Sequence, residues 1–238
     1  MIYVSHGDKG GVGKSLTAAV LVDYLLSTGR KVTLIESDKG QPDVALRYAG
    51  LVDIAAVNLN RAGDSEAAVM KWANTIEAID ATNDIVVNLP AAAGDTLDSM
   101  AELLVAAADE CGHDMTIMYS LGAYSTASDM LEESLTSGMM ASVPLERTCL
   151  VYPEYLGKQD VFTFYKTATR TKYLKAGGRE IVMPAISPTE LVEAVFKSQG
   201  SLSALADKET SSLNFGQRIF FSKKWLPTAH ERVAQVVV

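Results

Sequence analysis

Short apolar runs recur along the chain, with polar stretches of helical spacing between them. Continuous runs such as Ile85-Val86-Val87 and Thr148-Cys149-Leu150-Val151 read as strands covered on both faces, because a half-exposed strand alternates apolar with polar positions. On this pattern strands are expected at Ile2–His6, Lys31–Glu36, Asp53–Leu59, Asp84–Leu89, Met115–Ser120, Thr148–Tyr152 and Glu180–Met183. Helices are expected over Gly13–Thr28, Asp64–Ile79, Asp95–Cys111, Ser125–Ser137 and Lys158–Leu174. A further helix starts near Pro188, and a last one covers Phe215–Gln235 with an interruption near Pro227. Strand and helix alternating in this way predict an α/β fold, a doubly wound and mostly parallel sheet with helices on both faces. No repeat or low-complexity linker divides residues 1–238, so a single domain is expected.

Composition narrows the class without naming it. With 48% apolar and 21% charged residues, this is ordinary globular material. The longest apolar stretches, such as Leu103–Ala108, are far shorter than the roughly 20 residues that span a bilayer. The first strand is expected from Ile2 and a glycine-rich loop from Gly7, so neither a signal peptide nor a location outside the cytoplasm is expected. Cys111 and Cys149 lack CxxC spacing and read as small buried hydrophobes. His6, His113 and His230 show no metal spacing and read as structural.

The formal charge of −8 argues against a surface given over to nucleic acid. Locally, Lys158, Lys166, Arg170, Lys172, Lys175 and Arg179 are opposed by Asp160 alone, and this Lys158–Arg179 stretch is the candidate DNA patch. Contacts there would be phosphate-directed and salt-sensitive. The chain ends in HERVAQVVV, an apolar tail without a basic face, so burial against the domain is expected rather than membrane attachment.

The chemistry concentrates in GDKGGVGKS, Gly7 to Ser15, between the first strand and the first helix. Glycines at 10, 11 and 13 remove the Cβ atoms that would keep a phosphate from the backbone. The loop N–H groups then converge on an anion at a helix N-terminus. Lys14 would reach the β- and γ-phosphates, and the Ser15 hydroxyl would hold Mg²⁺. A dinucleotide GxGxxG reading fails because Lys14-Ser15 follows at once, and the general GxxxxGK[ST] pattern fails because Asp8 stands at its first glycine.

The narrower pattern KGGxGK[ST] does fit, from Lys9 to Ser15. Here the sequence resembles the ParA/MinD superfamily of deviant Walker A P-loop ATPases, closely over about the first forty residues and in layout to Pro184. That resemblance implies an ATP and Mg²⁺ site formed by Lys9, Gly10, Gly11, Val12, Gly13, Lys14, Ser15 and Leu16. It also implies that Lys9 reaches across an ATP-dependent homodimer to the partner's nucleotide, where a cation supplied in trans couples hydrolysis to dimerisation. After the second strand the chain reads ESDKGQPD where the family has DxDPQGN. Asp38 matches the acid that orients the attacking water and meets the metal through water, and Glu36 replaces the first aspartate. At the end of the fourth strand, NLPAAAG places Asn88 where the family's Walker B aspartate stands. An amide can bond a metal-bound water, yet it carries no charge to hold Mg²⁺, so binding with slow hydrolysis is expected. Pro184 fits the family's position beside the base.

The resemblance implies a nucleotide-switched dimer that positions or maintains a plasmid, DNA or macromolecular cargo, in partition, stability or conjugation, with a protein partner or adaptor. Two alternatives stay open: a metabolic ATP-dependent synthetase or carboxylase of the same fold, and an interaction protein that binds ATP with little or no hydrolysis.

Overall fold

The computed structural model describes the whole chain apart from residues 8–9, 39, 60–64 and 91–93, and for residues 94–96 it describes the backbone alone. In chain order the elements are β1 (Ile2–His6), α1 (Lys14–Ser27), β2 (Val32–Glu36), α2 (Asp43–Tyr48), β3 (Asp53–Ala56), α3 (Ser65–Glu77) and β4 (Asp84–Asn88). Then come α4 (Gly94–Ser99), α5 (Ala101–Glu110), β5 (Met115–Ser120), α6 (Ser125–Ser137), β6 (Thr148–Pro153), α7 (Ala168–Lys175) and β7 (Arg179–Met183). The chain finishes with α8 (Thr189–Lys197), α9 (Leu202–Ala206), α10 (Phe215–Phe220) and α11 (Leu226–Ala234).

The seven strands form one sheet in the order β3-β2-β4-β1-β5-β6-β7, and every pairing is parallel. Side chains of a strand alternate between faces, and here the alternation sorts them into two cores. Ile2 and Val4 of β1, Ile85 and Val87 of β4, and Leu150 and Tyr152 of β6 pack with Trp72 of α3, Leu104 of α5 and Leu131 of α6. Tyr3, Val86, Cys149 and Val151 point the other way, against Leu21 and Leu25 of α1, Leu191 of α8, Leu205 of α9 and Val233 of α11. Strands buried on both sides are the reason the sequence shows continuous apolar runs, and the doubly wound architecture follows.

Several elements differ from the sequence expectation. The basic helix expected over Lys158–Leu174 is two short 3₁₀ turns followed by α7, whose first turn is set by Thr167 accepting from the Arg170 N–H at 3.1 Å. Buried Phe162 and Phe164 lie two residues apart and both enter the core, which helical spacing forbids. The helix expected over Asp95–Cys111 is α4 and α5, broken at Met100. The third strand stops at Ala56, three residues short of Leu59. The last helix is interrupted earlier than Pro227: Phe221–Trp225 take π spacing before α11. Pro227 has no N–H for the carbonyl four residues back, and the wider turn absorbs that gap. The tail behaves as expected, with Val233 and Val236 fully buried.

Among the described residues no helix is long and apolar enough to cross a membrane. Cys149 is buried in the second core, where desolvation pushes its thiol up to about 12, and Cys111 is half-buried against the first. His6 is buried edge-on to Tyr119, with ring centres 5.0 Å apart, and His113 is buried, which lowers its basicity. His230 meets the buried Asp23 carboxylate at 3.0 Å.

Candidate functional site

β1 is the central strand, and the glycine loop leaves its C-terminal end. Gly7 is required there: a Cβ would lie 2.7 Å from the Ser120 carbonyl oxygen at the end of β5. Gly13 caps α1 in the left-handed region, φ 90° and ψ 14°, a conformation that L side chains disfavour. The loop is closed behind by the Ser5 hydroxyl, which donates to the Lys14 carbonyl at 2.8 Å. Lys14 is buried, and Ser15 opens the first turn of α1.

In front of the loop lies a cleft of about 460 Å³. Gly10, Gly11, Gly13, Lys14, Ser15 and Leu16 form its floor, with Asp38 and Gln41 on the β2 side and Leu89 after β4. Tyr155, Ala185, Ile186, Val192 and Phe196 form an apolar wall on the other side. All of these lie at or beyond strand C-termini, the edge where open α/β sheets bind ligands. The residues present fit magnesium chemistry: the Ser15 hydroxyl and the Asp38 carboxylate, both hard oxygen donors, line the same cleft. Asp38 is fixed by its own turn, its Oδ1 accepting from the Gly40 and Gln41 N–H groups, each at 3.0 Å.

Beneath the cleft, Glu36 and Asn88 meet. The Asn88 side-chain amide donates to Glu36 Oε1 at 2.9 Å, and the same oxygen accepts from the Asp38 N–H at 3.0 Å. Burial pushes the Glu36 carboxyl above its ordinary value, against the opposing pull of those two bonds and of the Ala45 N–H.

Most loop residues singled out in the sequence therefore share one cleft with Asp38. Val12 is buried instead, its side chain on the Gly7 side of the loop. Pro184 lies beside the cleft and offers its carbonyl to the Trp225 indole N–H at 2.9 Å, while the next two residues face the cleft. Lys9 lies outside the described residues. The candidate DNA patch is thinned: Arg170 is paired with Glu180 and stacked on Tyr165, and Arg179 donates to the carbonyls of Gln235 and Val236. Lys166, Lys172 and Lys175 stay exposed.

Sequence reasoning missed Tyr155, whose phenol donates to the Gly11 carbonyl and whose ring passes 3.6 Å from the Cβ position of Gly13. It also missed the Glu36–Asn88 bond. The signal was present as an acid and an amide at the ends of two strands, each in an unusual place.

A central phosphate-loop strand, a lysine and serine at the helix start and an acid after the second strand define a P-loop α/β protein. No protein-family model matches the chain. It is 28% identical over 186 residues to Protein MobD of Acidithiobacillus ferrooxidans, a match covering 77% of each chain. The MinD cell division protein of Aquifex aeolicus superposes with a TM-score of 0.53 at 16% identity, covering 100% of this chain and 98% of that one. The same protein in its MinC:MinD complex gives 0.53 at 17% identity, over 100% and 97% of the two chains. Chloroplast FtsY from Physcomitrella patens gives 0.51 at 12% identity, over 78% of this chain and 59% of that one. The chain has the ParA/MinD-like P-loop NTPase fold.

Proposed function

We propose that this protein binds ATP with Mg²⁺ and hydrolyses it slowly as a nucleotide-switched dimer of the ParA/MinD type. The observation that carries the reading is the single cleft shared by the glycine loop, Lys14, Ser15 and Asp38. There the loop N–H groups and Lys14 would grip phosphates, Ser15 would hold Mg²⁺ with Asp38 meeting it through water and orienting the attacking water, and Lys9 would serve the partner's nucleotide. When bound, the metal supplies charge neutralisation at the β- and γ-phosphates. Tyr155, Ile186 and Phe196 shield the rest of the ligand from water. The expected role is positioning or maintenance of a plasmid, DNA or other macromolecular cargo through a protein partner. A relative of this fold, MinD, is known in complex with MinC, which supports the partner reading.

A second reading, an ATP-binding interaction protein without turnover, is favoured by the uncharged Asn88 at the end of β4. Light scattering with and without Mg²⁺-ATP, beside Lys9→Ala and Lys14→Ala variants, tests the first. The expected result is a doubled mass in ATP for the wild type, with neither variant doubling. A mass that never responds although nucleotide binds removes the switch. Phosphate release at the background rate, with dimerisation intact, selects the second reading.

A further inference from the structure

β4 ends on an amide, and the buried carboxylate that accompanies it sits one strand away. In the sheet register Asn88 lies opposite Glu36 on β2 and opposite Ser5 on β1, so the three side chains mark one row just behind the phosphate loop. Glu36 is 4% exposed, and both of its oxygens are engaged: Oε1 by Asn88 and the Asp38 N–H, Oε2 by the Ala45 N–H at 3.3 Å. Asn88 is fully buried, yet its Oδ1 accepts nothing among the described residues. Ser37, whose N–H donates to the Asn88 carbonyl at 3.0 Å, is likewise buried with an unpartnered hydroxyl.

Two features of this arrangement are costly for the fold taken by itself. A neutral glutamine at 36 could still accept from Asn88 through Oε1 without placing a charge in the interior. Buried acceptors normally find donors, so Asn88 Oδ1 marks a place where a donor is missing. Both costs have a use if a hydrated cation stands at Ser15: the charge favours the cation, and the open amide oxygen accepts from one of its waters. Adjacent strands are about 4.8 Å apart. Glutamate is one methylene longer than aspartate, which lets a carboxylate on β2 reach the end of β4.

We propose that Glu36 and Asn88 form a transposed acid–amide pair, in which β2 supplies the negative charge and β4 the water acceptor of a magnesium–nucleotide site. The pair rests on the nucleotide reading given above. Glu36 is a positioning residue: it acts through Asn88 and through the Asp38 N–H. Charge is thereby retained at the site although β4 ends on an amide rather than an acid.

The test is a Mg²⁺ titration of the binding of a fluorescent ATP analogue to the full chain, which needs no turnover. Glu36→Gln is expected to raise the Mg²⁺ concentration required by about ten- to a hundredfold, the usual range for losing an outer-shell partner. Its affinity for the analogue in chelator should stay at the wild-type value. Glu36→Gln combined with Asn88→Asp returns the charge to β4 and should recover most of the Mg²⁺ response. Glu36→Asp, which keeps the charge but withdraws it by one methylene, should fall between, and guards against a Gln variant that does not fold. A wild-type Mg²⁺ response in folded Glu36→Gln overturns the transposed pair while leaving the nucleotide site standing. Failure of the wild type to bind the analogue under either condition overturns both.

Discussion

The phenol of Tyr155 donates its hydrogen bond to the carbonyl of Gly11 and so lays an aromatic ring across the glycine loop. The ring is 49% exposed, on a 3₁₀ turn that follows β6, so it can swing without disturbing a core. Removing only its hydroxyl with Tyr155→Phe should speed nucleotide entry about two- to tenfold, the worth of one net hydrogen bond. Stopped-flow mixing with a fluorescent ATP analogue reads that rate. Identical rates in the two proteins would mean that the bond does not hold the loop.

Gly13 and Gly29 both sit at positive φ, 90° and 78°, but only Gly13 has a ring beside it. Each alanine replacement should cost about 1–2 kcal/mol of backbone strain. For a chain of this size that corresponds to a fall of roughly 2–8 °C in the melting midpoint. Gly13→Ala should also abolish nucleotide binding, whereas Gly29→Ala should leave it intact. Calorimetry on both variants separates strain from site, and equal nucleotide affinities would remove Gly13 from the site.

Asp98 ties α4 to the end of α6, accepting from the Met139 N–H at 2.7 Å and the Ser134 hydroxyl at 3.0 Å. Burial alone would raise its pKa, yet His6 at 3.9 Å and these two donors together hold it below the ordinary carboxylate value. A depressed folded pKa means that the unfolded chain takes up the proton first as pH falls. Stability from Asp98 is therefore complete above the unfolded value and drains away as pH drops toward the lower folded one. Asp98→Asn should cost about 1–3 kcal/mol at neutral pH and flatten the acid limb of the stability curve. Urea unfolding across pH 3 to 7 shows this, and parallel curves for variant and wild type would contradict it.

Arg170 and Lys166 belong to different tests, because Arg170 is committed to Glu180 and Lys166 is exposed. Reversing Lys166, Lys172 and Lys175 to Glu should weaken nonspecific DNA retention about tenfold or more at low salt, with little change in melting. Arg170→Ala should instead lower the melting midpoint and leave retention nearly unchanged. If the triple reversal binds DNA as the wild type does, the patch is only a solvated surface.

The strand pattern was legible because β1, β2, β4, β5 and β6 are buried on both faces, and an uninterrupted run such as Ile85-Val86-Val87 has few other readings. The loop was legible because Gly10, Gly11, Gly13, Lys14 and Ser15 are close neighbours in the chain as well as in space. What stayed hidden depends on contacts between distant segments. The Glu36–Asn88 bond joins residues 52 apart and the Tyr155–Gly11 bond residues 144 apart, and neither leaves a local period. The 3₁₀ run after Lys158 was misread for a related reason. Its basic residues suggested a helix face, while Phe162 and Phe164 were pulled into the core two positions apart.

Because all seven strands run the same way, the molecule has a chemical rim and a mechanical rim. The opposite edge carries Arg30 paired with Asp84, the Tyr3 hydroxyl at Val238, and the exposed turn Asp80–Thr82 leading into β4. None of those residues lines the cleft. A fluorophore or surface tether placed on that turn would therefore report on the protein while leaving both the cleft and the glycine loop untouched. The parallel sheet thus supplies its own handle for watching one molecule at a time.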